Sequence, residues 1–185
     1  MQKPLTIRLL HWFVALLFLL AIPTGYRLAD TGWSGVGLIN RSTIHASHQT
    51  SGILIACLMV IWAIYRIWKS FQTSKSTSIY QKLVAVSHIL LAVLGALIAF
   101  TGWMGSSAGN YGQELFGVIP IPNIIPVFSA KEAVSLYAFH KSLISYFLFF
   151  LSLHIIAVLF YTIILKDQII KTIWFSKSKT SHLDK

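Results

Sequence analysis

The chain has 185 residues, a mean hydropathy of +0.71, 56% hydrophobic and only 11% charged residues, and a formal net charge of +10. That balance excludes an ordinary soluble domain and points to an all-α integral membrane protein, long enough for four spans in one bundle. A soluble protein this basic would suggest nucleic acid; here the basic residues sit in loops and tails between apolar runs, where they set orientation in the membrane.

The first apolar run covers roughly residues 6–28. Lys3 and Arg8 precede it as they would a signal peptide. The run is nevertheless long, lacks a small-x-small cleavage site and carries His11, so it reads as a span. Pro23 and Gly25 predict a kink or an end, and a loop rich in Gly, Ser and Asn follows to residue 43. The second run, about 44–68, has His45 and His48 in its first turns. Gly52 lies four residues after His48 on the same face, where a missing side chain admits a flat group or another helix. Cys57, the one cysteine, lies inside this run and reads as packing.

A polar linker over 70–78 leads to the third run, about 79–105, with His88 early in it and Gly95 and Gly102 at helix-packing positions. The stretch 106–131 mixes Gly109, Gly112, Gly117, Pro120, Pro122 and Pro126 with apolar residues, which suits a cap on one end of the bundle or a layer on the membrane surface. The fourth run, 136–166, is nearly all apolar and carries His140 and His154. The segment IIKTIWF after it suits the membrane interface, and His182 falls in the solvated end. The expected organisation is one membrane domain over 1–175 and a polar cytoplasmic tail over 176–185.

The basic residues set the orientation. Eleven (Lys3, Arg8, Arg66, Lys69, Lys75, Lys82, Lys166, Lys171, Lys177, Lys179 and Lys185) fall on one side, against Arg27, Arg41, Lys131 and Lys141 on the other. This bias puts both termini in the cytoplasm. His11, His88 and His154 are then the inner histidines, and His45, His48 and His140 the outer ones.

His140 and His154 are fourteen residues apart, almost four whole helical turns, so both leave one face about 21 Å apart along the axis. Intramembrane ionisable groups are costly and usually functional. Two on one face, one toward each side of a hydrocarbon core roughly 30 Å thick, suggest two stacked metal or haem sites. Haem b used for electron transfer needs two axial imidazoles. By depth, His140 pairs with a histidine of the second run and His154 with His11. Zinc usually asks for clustered ligands with cysteine or carboxylate, and none of the five acids, Asp30, Glu114, Glu132, Asp167 and Asp184, lies mid-membrane. The same scarcity disfavours a proton- or cation-coupled transporter. For each histidine alone, an interhelical packing role remains open.

RLLHW at 8–12, His48-x3-Gly52 followed by YRIW, SHILL at 87–91, TGWMGSSAGNYG from Thr101, and the spacing of His140 and His154 ending in Lys166-Asp167 occur in this order. Together they resemble the bacterial di-haem cytochrome b561 family along nearly the whole chain. The resemblance implies a four-transmembrane-helix bundle with two stacked b haems and a quinone site, in the bacterial cytoplasmic (inner) membrane. It implies electron transport between quinone and partner donors or acceptors; some members are superoxide:ubiquinone oxidoreductases. Carried over position by position, the axial ligands fall on His11, His48, His140 and His154, with His45 as the rival of His48. His88 matches a histidine on the quinone side. Tyr161 stands seven residues after His154 where relatives often carry a further histidine; a phenol still donates a hydrogen bond to a quinone carbonyl, but it shuttles protons less readily near neutral pH. Arg27, Arg41, Lys131 and Lys141 are candidates for haem propionates or for steering an anion such as superoxide, or are plain loop cations.

Three functions follow. The first is a stand-alone quinone-linked cytochrome with an outer donor. The second is a haem-bearing membrane anchor for a soluble dehydrogenase or hydrogenase subunit. The third is a haem-free membrane protein whose histidines only pack.

Overall fold

The computed structural model describes residues 3–30, 35–36, 39–72, 79–127, 129–166 and 169–174. The polar linker from 73 to 78 and the tail from 175, with His182, lie outside the described residues. Four long helices make the body: α1 (Leu5–Ala29), α2 (Arg41–Gln72), α3 (Ile79–Ala108) and α4 (Ala130–Ile163). All four are long and apolar enough to cross a membrane. A short ribbon, β1 (Gly35–Val36) with β2 (Ile39–Asn40), precedes α2; a hairpin, β3 (Gln113–Leu115) with β4 (Ile119–Ile121), joins α3 to α4; and a single turn, α5 (Ile169–Ile173), follows α4.

The order around the bundle follows the chain: α1 packs on α2, α2 on α3, and α3 on α4. The outer faces are apolar. Leu19 is 70% exposed, and Leu16, Ile61, Ile64, Leu83, Val86 and Ile156 are exposed with it. The inside carries small or polar residues, among them Thr24, Ser51, Thr101, Ser106 and Ser107, all buried. Lipid tails solvate the first set, while the second lets helix backbones approach and share hydrogen bonds. Half-way up, Phe18 of α1 stacks on Phe147 of α4 with ring centroids 4.5 Å apart. Phe147 is 2% exposed and lies seven residues from each of His140 and His154, so this pair divides the interior into two levels.

Pro23 does not end α1, which runs on to Ala29; a proline removes one backbone donor, and the turn beyond it is held by other bonds. The stretch 106–131 takes the capping role. α3 ends at Asn110 (φ 54°), where the Tyr111 N–H reaches the Ser106 carbonyl and the Asn110 N–H that of Ser107, a Schellman motif. The hairpin turns at Phe116 and Gly117, both with positive φ, and docks on α2. The Gln49 side chain donates to the Gly112 carbonyl and accepts from the Glu114 N–H, and Thr50 Oγ1 accepts from the Phe116 N–H at 2.7 Å. Ser129 and Glu132 then form a capping box that starts α4.

At the opposite end the start of α1 meets residues 172–174. Trp12 Nε1 donates to the Ile173 carbonyl, Arg8 to the Trp174 carbonyl and the Lys3 N–H to the Thr172 carbonyl. Residues 172–174 are thus pinned against the start of α1. The bundle has a hairpin end and a terminal end.

Candidate haem-binding site

The hairpin-end level is built from α2 and α4, each backed by a neighbour. His48 enters from α2 and lays its ring against α1: its Nδ1 is 2.9 Å from the Ala21 carbonyl and 3.4 Å from Thr24 Oγ1. His140 enters from α4 and lays its ring against α3: its Nδ1 is 2.8 Å from the Ile98 carbonyl and 3.3 Å from Thr101 Oγ1. A carbonyl only accepts, so Nδ1 carries the proton in both rings and Nε2 keeps the lone pair. The two rings lie edge-on at 86° to one another, centroids 6.4 Å apart. A metal held between two imidazoles, each at about 2.0 Å, asks for roughly 6 Å between ring centres.

Glycine makes the seats possible. A Cβ on Gly25 would lie 2.8 Å from His48 Cε1, and one on Gly102 would lie 3.0 Å from His140 Cε1. Gly52, singled out in the sequence as the approach point beside His48, has open space: a Cβ there meets nothing within 4 Å. Thr24, Gly25, Thr101 and Gly102 were not assigned to the site from sequence; the recurring Thr-Gly dipeptide was the available signal.

The terminal-end level brings together His11 of α1, His88 of α3 and His154 of α4, whose candidate ligand nitrogens all lie within 4.8 Å of one another. His88 and His154 ring centroids are 4.8 Å apart. His88 donates from Nδ1 to the Val84 carbonyl of its own helix, and the Trp62 ring lies 6.1 Å from it. His11 Nδ1 is buried and has no hydrogen-bond partner among the described residues. The pairing by depth of His11 with His154 thus has a third imidazole beside it, from the helix-three histidine taken from sequence as a quinone-side residue.

The other candidates lie apart. Arg41 spends its guanidinium on the end of α1, donating to the Leu28 and Asp30 carbonyls. Lys141 is exposed on α4 next to His140. Tyr161 is half-buried near the terminal end of α4, its ring edge-on to Phe160. His45 is half-buried one turn before His48, and the His48 ring is the one paired with His140.

A family model for prokaryotic cytochrome b561 matches residues 3–176. The chain belongs to that family. Among curated proteins none matches it. The family makes this a membrane protein that binds haem b and transfers electrons. The residues fit that group. Both levels offer neutral imidazoles and no thiolate or carboxylate, the donor set of an electron-transfer haem rather than of a typical structural zinc site. An orphaned buried Nδ1 on His11 and two glycine-lined imidazole seats are what a bound porphyrin would complete.

Proposed function

We propose that the chain binds two b haems, one at each level, and moves single electrons across the membrane between an outer-side donor and the quinone pool. His48 and His140 would hold the hairpin-end haem, His11 and His154 the other. The observation that carries this reading is the pair of imidazole levels, two rings with centroids 6.4 Å apart at one end and three imidazoles whose ligand nitrogens lie within 4.8 Å of one another at the other.

Haem b, when bound, supplies the one-electron chemistry. The chain supplies the rest. Nδ1–H bonds fix the tautomer of His48 and His140, and Phe18 with Phe147 keeps the levels apart. Apolar helices keep water out. His88, with Tyr161 further along α4, lies toward the terminal end, where a quinone would be held and receive protons from the aqueous side. The basic bias at that end supports a cytoplasmic location for both termini and a place in the bacterial inner membrane. So does the joining of Lys3, Arg8 and Trp12 to residues 172–174 on one side of the bundle. One domain spans 1–175, with 176–185 as its tail. On the outer side Lys141, beside His140, is the cation best placed to attract an anionic donor such as superoxide.

The test is a reduced-minus-oxidised spectrum with a haem count on purified protein, followed by addition of superoxide and then of ubiquinone. Two b haems per chain, reduced by superoxide and reoxidised by ubiquinone, are expected. One haem or none sinks the stacked-site reading. Two haems that ignore superoxide move the protein to the role of membrane anchor for a soluble redox partner.

A further inference from the structure

The two hairpin-end seats are built alike, and the sequence says why. Thr24 follows His11 by thirteen positions, and Thr101 follows His88 by thirteen; each threonine is followed by glycine. On the partner helices, His48 and Trp62 are fourteen positions apart, as are His140 and His154. The helix pair α1–α2 therefore repeats as α3–α4, with His11 matched to His88, Thr24-Gly25 to Thr101-Gly102, His48 to His140 and Trp62 to His154.

The contacts repeat as well. In each half the accepting carbonyl lies three residues before the threonine, on Ala21 or Ile98, at 2.9 and 2.8 Å from Nδ1. In each half the threonine hydroxyl donates into its own helix, to the Leu20 or Leu97 carbonyl at 2.6 and 2.9 Å, with that same Ala21 or Ile98 carbonyl 3.0 Å away, and it lies 3.4 or 3.3 Å from the ring nitrogen. In each half the glycine is four residues beyond the carbonyl, the position whose side chain would cover that carbonyl on the helix surface. Two independent occurrences of one geometry argue for a selected device rather than incidental packing.

We infer that Thr24-Gly25 and Thr101-Gly102 are twin positioning seats: each glycine bares a helix carbonyl to one axial imidazole, and each threonine fixes where that imidazole sits. The inference rests on the proposed haem reading and deepens it. An Nδ1–H bonded to a carbonyl gives the imidazole partial anionic character, which raises its basicity toward iron and favours the oxidised state. A Cβ at Gly25 or Gly102 forces the ring off its carbonyl, so that haem's midpoint potential rises or its occupancy falls. The terminal-end haem has no such seat and should not move.

The experiment uses full-length protein with both haems counted, followed by redox titration and low-temperature EPR of Gly25→Ala, Gly102→Ala, Thr24→Val and Thr101→Val. Each glycine variant is expected to shift one haem's potential upward, the same haem in both, or to halve the haem count by losing it. Each Thr→Val should move that haem's potential and alter its low-spin EPR signal, and Thr→Ser should restore both. Gly95→Ala, whose Cβ would instead meet Phe18 Cζ at 2.9 Å, is the packing control and should leave the hairpin-end potential in place. If a glycine variant does not fold, the threonine pair decides. Potentials and EPR signals unmoved in the folded variants overturn the seats while leaving the haem reading intact. A wild-type protein without two haems overturns the haem reading itself.

Discussion

The two imidazole levels of this bundle differ in how they are finished. At the hairpin end each ring has one carbonyl, one hydroxyl and one bare glycine, and the two rings lie edge-on with centroids 6.4 Å apart. At the terminal end three imidazoles cluster, and His11 Nδ1 has no partner among the described residues. The hairpin-end level is held in a fixed geometry by its own backbone. The terminal-end level carries a third imidazole, which under the proposed reading suits a site exchanging protons and electrons with a small molecule. On the proposed reading, the carbonyl-held rings suit a haem that would only relay charge, and the third imidazole suits the end where the electron would leave with a proton.

The largest break of this comparison is removal of a ligand. His140→Ala should cost the hairpin-end haem and leave the other, and His154→Ala should do the reverse, so that each variant holds one haem per chain by pyridine haemochrome assay. His48→Ala should match His140→Ala, whereas His45→Ala should keep both haems. Two haems retained in both the His140 and His154 variants would dissolve the assignment, and loss with His45→Ala but not His48→Ala would exchange those two.

Next is the partition. Phe147 is the largest fully buried side chain among the described residues, and it stacks on Phe18 between the levels. Phe147→Ala is expected to cost about 3–5 kcal/mol of stability, the usual toll for deleting a buried phenyl ring. Thermal unfolding in detergent reads the loss. A melting temperature within a degree of wild type would mean that the interior collapses around the gap and that Phe147 does not hold the levels apart.

How much of this was legible beforehand can be traced through particular residues. The four spans, and the sorting of histidines by depth, followed from long apolar runs and from the fourteen-residue spacing of His140 and His154, because helix geometry converts residue number into height. The capping role of 106–131 was one of two readings, since its glycines and prolines mark turns but not what the turns rest on; Gln49 and Thr50 of α2 supply that, more than sixty positions away. His88 was taken as a quinone-side residue from the family resemblance; the structure adds that its ring nitrogens cluster with those of His11 and His154, a neighbourhood that spacing along one helix cannot tell. Gly52 was read as leaving room beside His48, and there is open space there; the close contact of a glycine with the His48 ring, made by Gly25 on α1, was not read from the sequence. In each case the missing information was which helix faces which, a property of the packed bundle rather than of any one segment.

His88 sharpens the terminal end. His88→Ala is expected to keep two haems and slow reoxidation by quinone about 10–100-fold, the range for losing a supporting polar group beside a cofactor. Stopped-flow reoxidation of the reduced protein gives the rate, and the haem count is taken on the same sample. Loss of a haem would make His88 a ligand and displace His11, and an unchanged rate would leave it a packing residue.

Arg41 gives the smallest effect and separates two roles for a charge near the hairpin end. Its guanidinium donates to the Leu28 and Asp30 carbonyls at 2.9 and 3.2 Å, where it satisfies acceptors that α1 leaves open at its C-terminus and complements the helix dipole. Arg41→Gln is therefore expected to cost about 1 kcal/mol, given that the contact is exposed, read as a small drop in melting temperature. Lys141 is exposed and adjoins a ligand position, so Lys141→Gln should weaken the salt dependence of haem reduction by an anionic donor. Arg41→Gln should leave that dependence as it is, because a cation bound to two carbonyls is committed to closing a helix. A salt dependence that falls with Arg41→Gln and not with Lys141→Gln would reverse the two roles and place donor approach over the end of α1 instead of the start of α4.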